Sequence, residues 1–276
     1  MKGFKTSTVA LCLGLAPGLG MAEIQPLDDS QMGNVTGQSG VTIELQTRIN
    51  IDEVRYTDEG SLAVNDVFVG GANRTDFFSE MNLDLAGSTP TDLLDDFRMD
   101  IDVLSDGDAV INLLPAGLLR AVDVRVATGE WVLEGEGAGN TDSTTIMDNF
   151  QMDALIGSGT LRVDTATDTL NIQTDIAIDD LDFDAPFLAL GVRDVVVTGA
   201  DYDLDAPQPL DVFAPVELNL YEGNNATGNS SLAIDLAQFE ADIRVGGVLI
   251  GGTSIGSLAM DNLSVSGTNM RVYGHQ

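Results

Sequence analysis

The sequence predicts an all-β, mostly antiparallel protein: an elongated curved sheet or sandwich built of repeated bulged strands. Three observations carry this. Apolar and polar residues alternate with period two through much of the chain, and Gly, Asn and Asp clusters separate the alternating runs. Helical character is confined to Thr91–Phe97, just after Pro90, which allows a turn or two. One apolar and one polar face per strand argues for antiparallel pairing, because buried parallel strands read as continuous apolar runs.

The first element is an export signal over residues 1–22. Lys2 and Lys5 supply its positive start, and Val9–Leu15 its apolar run, too short to span a bilayer. Gly20-Met21-Ala22 is a small-x-small cleavage site, so the mature chain is expected to begin at Glu23. Pro17, Gly18 and Gly20 argue against a buried N-terminal helix. Cys12 follows Leu11 rather than the small residue that precedes a lipid-bearing cysteine, and is read as part of the apolar run. An N-terminal segment, 23–40, and a single elongated β domain, 41–276, follow. No transmembrane segment is expected after cleavage.

The leader holds both lysines and the one cysteine. Its removal takes the net charge from −32 to −34, with ten arginines as the basic residues. Such a chain cannot build the basic face that nucleic acid requires. Nor can it form a disulfide, which for an exported protein suits the bacterial envelope. At 43 % hydrophobic residues it is too apolar for simple disorder. The excess of Asp and the lack of Lys fit either a salty habitat or a lineage bias toward acidic proteins.

Strands are expected at Val41–Ile51, Phe97–Val103, Val122–Val126, Leu161–Val163, Leu170–Ile178 and Leu232–Leu236. Turns are expected at Asp58–Gly60, Ser105–Gly107, Gly135–Gly139 and Gly223–Asn225. A short pattern recurs: apolar, two Asp/Asn, apolar, any, apolar. It begins at Val64, Met147 and Ile178, more loosely at Val192, and again at Met260. The apolar spacing of three and then two inserts one residue into strict alternation. A β-bulge does that, and Asn and Asp tolerate the backbone it needs. The unequal intervals between copies disfavour a regular solenoid.

Catalysis has little to draw on. The mature chain lacks Lys and Cys, and its one histidine, His275, sits next to the C-terminus. Cation binding has a clearer basis. Asp180, Asp182 and Asp184 alternate, and so do Asp201, Asp203 and Asp205. Two such strands side by side would gather six carboxylates, the oxygen-rich setting that calcium takes. The competing reading is two solvated acidic faces, with Leu181, Phe183, Tyr202 and Leu204 turned to the core. A transmembrane barrel is disfavoured, because its outward faces would carry too much Asp and it lacks aromatic girdles.

The run Leu27-Asp-Asp-Ser-Gln-Met-Gly-Asn-Val-Thr-Gly-Gln-Ser-Gly-Val41 leads into the first strand. It resembles the mature N-terminus of a proteobacterial family of exported proteins of unknown function, some labelled pilus-system proteins of the Fil type. Leu27, Asp29, Met32, Val35, Thr36, Gly37, Gln38, Gly40 and Val41 carry the resemblance. The ending from Ser257 to His275 is similar as well. The resemblance implies export and surface assembly and brings no catalytic residues. Read from its residues, the segment is a turn-forming stretch that caps the sheet of its own chain or pairs with the edge of another subunit.

The expectation is a non-enzymatic envelope protein in the periplasm, on the outer-membrane surface or outside the cell. It is read as a surface or pilus-system-associated structural subunit or accessory. It would assemble through strand edges with itself, or with a chaperone or usher. The alternatives are a periplasmic module holding an apolar ligand in a curved sheet and, third, an enzyme acting on carbohydrate. Calcium is the one cofactor the sequence suggests.

Overall fold

The computed structural model of the chain describes residues 40–78, 91–115, 121–135, 142–203, 206, 208 and 211–274. The expected leader over residues 1–22, Leu27 to Gln38, Asp205 and His275 lie outside them. The described chain forms thirteen strands in one antiparallel sheet, so the all-β expectation holds, as a single sheet rather than a sandwich. The strands are β1 Val41–Thr47, β2 Ile49–Thr57, β3 Gly60–Gly70, β4 Leu94–Val103, β5 Ala109–Pro115, β6 Val122–Thr128 and β7 Trp131–Gly135. They continue with β8 Ser143–Asp164, β9 Thr169–Ala185, β10 Leu190–Thr198, β11 Ala214–Asn224, β12 Ser230–Ile250 and β13 Thr253–Val272.

The pairings resolve into eight rows that follow the order of the chain. Row one is β1 and β2, which pair with β4 and β3 of row two. Row three is β5, β6 and β7; β5 pairs with β4, while β6 and β7 pair with β3. All three also pair with β8, the fourth row. Then come β9, the row made of β10 and β11, then β12, and finally β13. The eight rows form a plain meander. At about 3.3 Å per residue, the 22 residues of β8 run roughly 70 Å.

The period-two pattern gives the sheet one aliphatic face. A ladder crosses it from edge to edge: Val41, Ile101, Ile111, Leu161, Ile172, Leu218 and Leu236, ending at Thr268 of β13. A second ladder joins Val124, Ala154, Ile178, Val197, Ile243 and Met260.

The other face is polar, except where two excursions fold back on it. One leaves row two between β3 and β4, and the other leaves its row between β10 and β11. Phe77 and Phe78 from the first meet Tyr202 and Val212 from the second, over Leu155 of β8 and Ala177 of β9. Phe78 and Tyr202 pack edge-on, their ring centroids 6.4 Å apart. The second excursion is pinched at its base by close backbone approach. The Gly199 N–H donates to the Val212 carbonyl at 3.1 Å, and a Cβ on Gly199 would lie 2.6 Å from the Phe213 carbonyl oxygen.

A charged cluster ties the first excursion to the sheet. Asp153 of β8 is buried and accepts bonds from Arg74 of the excursion at 3.0 Å and from both Nε and Nη2 of Arg125 of β6 at 2.6 Å. Arg74 also reaches Asp179 at 2.8 Å, and its guanidinium lies over the Phe77 ring. Asp179 accepts the Phe78 N–H at 2.8 Å, and Asp123 the Ala72 N–H at 2.7 Å. Burial pushes the carboxyls of Asp179 and Asp123 up, with these N–H bonds opposing the shift.

The repeated Asp/Asn pairs break regular strand geometry: the copies at Met147, Ile178 and Met260 shift the register, and those at Val64 and Val192 keep it. Asp66, Asn149, Asp194 and Asn262 all have φ between 52° and 56°, the left-handed region expected of Asn and Asp. Register shifts fall at Asp148/Gln151 in β8 and opposite Asn262 in β13. The copy at Ile178 also shifts register, but Asp180 keeps an ordinary φ. These breaks turn backbone donors out of the ladder, and neighbouring aspartates take them up. Asp182 accepts the Asp194 N–H at 2.8 Å and Asp242 the Asn262 N–H at 2.6 Å.

One expected element is corrected. Thr91–Phe97 is not a helical turn: β4 starts at Leu94, and Phe97 pairs with Leu45 on one side and Pro115 on the other. Thr91 instead caps a bend by accepting the Leu93 N–H. The described helical structure is the 3₁₀ turn Pro186–Leu188.

Two outcomes test this packing. Asp153→Ala leaves two guanidiniums without their buried partner, and urea unfolding is expected to show a loss of about 3 kcal/mol. That is the low end for breaking a buried pair, since Arg74 and Arg125 each keep about a quarter of their surface in water. Asn262→Val, a β-branched residue at positive φ, is expected to lose about 1–2 kcal/mol in the same measurement, and Asn262→Gly to lose little.

Candidate functional site

The two outermost rows are the parts of the sheet with an unpaired side among the described strands. On one edge lies β13, twenty residues long and exposed over almost its whole length. Ile255, Leu258, Met270 and Val272 each keep about half or more of their surface in water. In a chain with 44 acids, β13 carries one acid, Asp261, and one base, Arg271. It has no lysine, the residue that most often blunts an edge. Its irregularities are the Asn262 bulge and positive-φ glycines at Gly256 and Gly267. Arg271 is tied inward to Asp235 at 2.7 Å and to the Tyr221 hydroxyl at 3.1 Å.

The other edge is β1 with β2. Val41, Ile49, Ile51, Val54 and Tyr56 are exposed there. Arg55 is held by Glu53 at 2.8 Å and by Glu134, and Arg48 by Asp92. Of the N-terminal motif residues, Gly40 and Val41 are described. A Cβ on Gly40 would lie 2.8 Å from the Ile101 carbonyl oxygen and press on the Asp102 carboxylate, so the position needs glycine for β1 to dock on β4.

The acidic residues are arranged differently from the two facing ladders expected. Asp180, Asp182 and Asp184 do share the polar face of β9, opposite Asp153, Gln151 and Asp148. Asp201 and Asp203 are not in a strand. They lie in the second excursion, where burial of Tyr202 sets the backbone. Asp194 takes their place, so that one oxygen each of Asp180, Asp182 and Asp194 lies within 4.8 Å of the others. The looser repeat at Val192 contained Asp194, but its spacing alone did not show that the break would aim it at β9.

Burial, then the neighbouring Asp182 charge, pushes the Asp180 carboxyl up, and its Oδ1 is buried without a hydrogen-bond partner. Asp184 is engaged elsewhere: Arg193 binds it at 2.6 Å and Asn149 at 3.1 Å, and the Arg193 bond leads in holding its carboxyl below the usual range. Calcium takes six to eight oxygens. Three carboxylates supply part of such a shell, and Asp182 already spends one oxygen on the Asp194 N–H.

Asp108 illustrates the structural use of acid here. It is buried and accepts the Thr165 N–H at 2.9 Å and the Arg162 guanidinium at 2.6 Å, tying the β4–β5 turn to the β8–β9 turn. The Thr165 N–H first, and Arg162 next, hold its carboxyl below the usual range.

Residues 1–105 match the profile of a family of unknown function (DUF6160). That match takes in the N-terminal segment and the rows from β1 to β4. No curated protein and no solved structure matches the chain. Among the described residues, no helix is long and apolar enough to cross a membrane.

A depressed carboxyl stabilises the fold above its unfolded value, near pH 4, and loses that contribution as pH falls through its folded value. Asp108→Asn is therefore expected to lower the urea midpoint at pH 7. The midpoints of the variant and the unaltered protein should converge below about pH 4, as a series of unfolding curves across pH would register.

Proposed function

We propose that this chain is an exported, non-enzymatic protein of the bacterial envelope. In this reading it is a structural subunit or accessory, associated with the surface or with a pilus system, and it acts by adding strands to other sheets through its open edges. The observation that carries the reading is the long, exposed, nearly uncharged edge of β13, in a chain otherwise dense with aspartate. A row of unsatisfied N–H and C=O groups beside apolar side chains is a template for strand addition. The leader over residues 1–22 and the Val35-Thr-Gly-Gln38 run support export and envelope assembly. The lack of Lys and Cys beyond the leader supports a role without catalysis.

A second reading has its own observation. The aliphatic ladder from Val41 to Leu236 crosses the sheet without a polar break, and its flank stays exposed at Leu232, Met270 and Val163. A periplasmic module that holds an apolar ligand would use such a face. Lipid extracted with purified monomer would favour it.

The first reading is tested on intact native cells by immunogold microscopy with antibody to residues 23–276. Labelled surface structures are expected. In cells carrying Leu258→Lys with Met270→Lys on β13, the label should disperse or vanish while the protein remains present and folded. Label that appears only after the outer membrane is opened would contradict a surface role. Label unchanged by the lysines would contradict the edge.

A further inference from the structure

We infer that the partner of each edge is the opposite edge of another copy of this chain, so that copies add head to tail into one continuous sheet. This rests on the edge reading above and names its partner.

The first ground is row count. Eight antiparallel rows in chain order run alternately up and down, so β1–β2 and β13 run in opposite directions. A copy displaced sideways in the plane of the sheet sets its first row antiparallel to the β13 it meets. Its aliphatic face falls on the same side, and the alternation of hydrogen-bonded and non-hydrogen-bonded pairs continues across the junction. An odd number of rows would have made the junction parallel.

The second ground is height and length. The ladder that begins at Val41 ends at Thr268, so the two edges stand level across the sheet. The rows have similar reach, Val41–Thr57 against Thr253–Val272. A sideways copy therefore meets its neighbour over most of both edges without sliding along the strands.

The third ground is charge. Row one carries Glu44, Asp52 and Glu53 with two arginines, whereas β13 is balanced at one acid and one base. Pairing row one with itself would set carboxylates against carboxylates; pairing it with β13 does not. The junction joins two different surfaces, so it does not close on itself and leads to a fibre rather than a two-fold dimer. The strong net negative charge opposes this addition. Salt relieves it, because the screening length falls from about 10 Å at 0.1 M to about 3 Å at 1 M.

The test uses the full chain, expressed with its leader and purified from the envelope, with light scattering and electron microscopy across salt. Growth into fibres is expected as sodium chloride rises from about 0.1 to about 1 M. Cysteines then report the junction. Val41→Cys with Thr268→Cys is expected to give a ladder of cross-linked species under oxidation, and each single variant essentially none. A species that stays monomeric at every salt concentration would overturn the inference. So would a cross-linked dimer from Thr268→Cys alone at the yield of the double variant, which would mean two-fold pairing of β13. If purified copies ignore one another but β13 cysteines cross-link to a different envelope protein in cells, self-addition fails and the edge reading stands.

Discussion

The described sheet is held to its covering segments chiefly by the burial of Asp153 between Arg74 and Arg125. A single sheet has no second layer to cover it. Its cover on the polar face comes from its own excursions, and an excursion must be tied down at a definite place. Asp153 does this from the middle of β8, the row that pairs with four other strands. Arg74 carries the bond out to the excursion and on to Asp179 of β9, while Arg125 carries it to β6. With the excursion fixed, Phe77 and Phe78 cover Leu155 and Ala177, and the second excursion closes over them with Tyr202 and Val212. The small side chains of Ala72, Ala121 and Ala177 in the same buried cluster let these segments lie close to the strands.

The aspartates that dominate the composition thus divide by task. Some neutralise arginines within the ladder, as Asp153, Asp108 and Asp235 do. Others take up N–H groups that the strand breaks turn out of line, as Asp182 and Asp242 do. A short carboxylate on a two-bond stem suits both, since it reaches the neighbouring row and no further. Asp123 and Asp179 instead hold N–H groups of the first excursion, and many of the other acids are exposed. Among the long strands β13 stands apart, because it carries so little of this acidic charge.

Much of this was legible in the sequence, for physical reasons. Alternation reports which face is apolar, so the strands and their antiparallel pairing follow from it. The strand breaks were legible because three-plus-two spacing cannot be laid on a flat strand, and Asn or Asp at the extra position accepts positive φ. Partners separated in sequence were not legible. Thr91–Phe97 reads as a helical turn or two until Leu45 and Pro115 are known to flank Phe97. Asp201–Asp205 alternates like Asp180–Asp184, yet Tyr202 is drawn into a core made with Phe78, from a distant part of the chain that covers β8. Arg74, Asp153 and Asp179 carry no local signal of their meeting. A single sheet and a sandwich share the same strand patterns, and only the pairings separate them.

The central claim is that the sheet ends at β13 on one side and at β1–β2 on the other, with β8 and β9 at its middle. Amide hydrogen exchange, followed by mass spectrometry on the monomer at low salt, tests it most directly. The account predicts slow exchange across β8 and β9. It predicts fast exchange at alternate positions of β13 and β2, whose N–H groups point away from their one neighbour. Uniform protection along β13, equal to that of β8 in the monomer, would mean that another segment covers this edge, and would contradict the account.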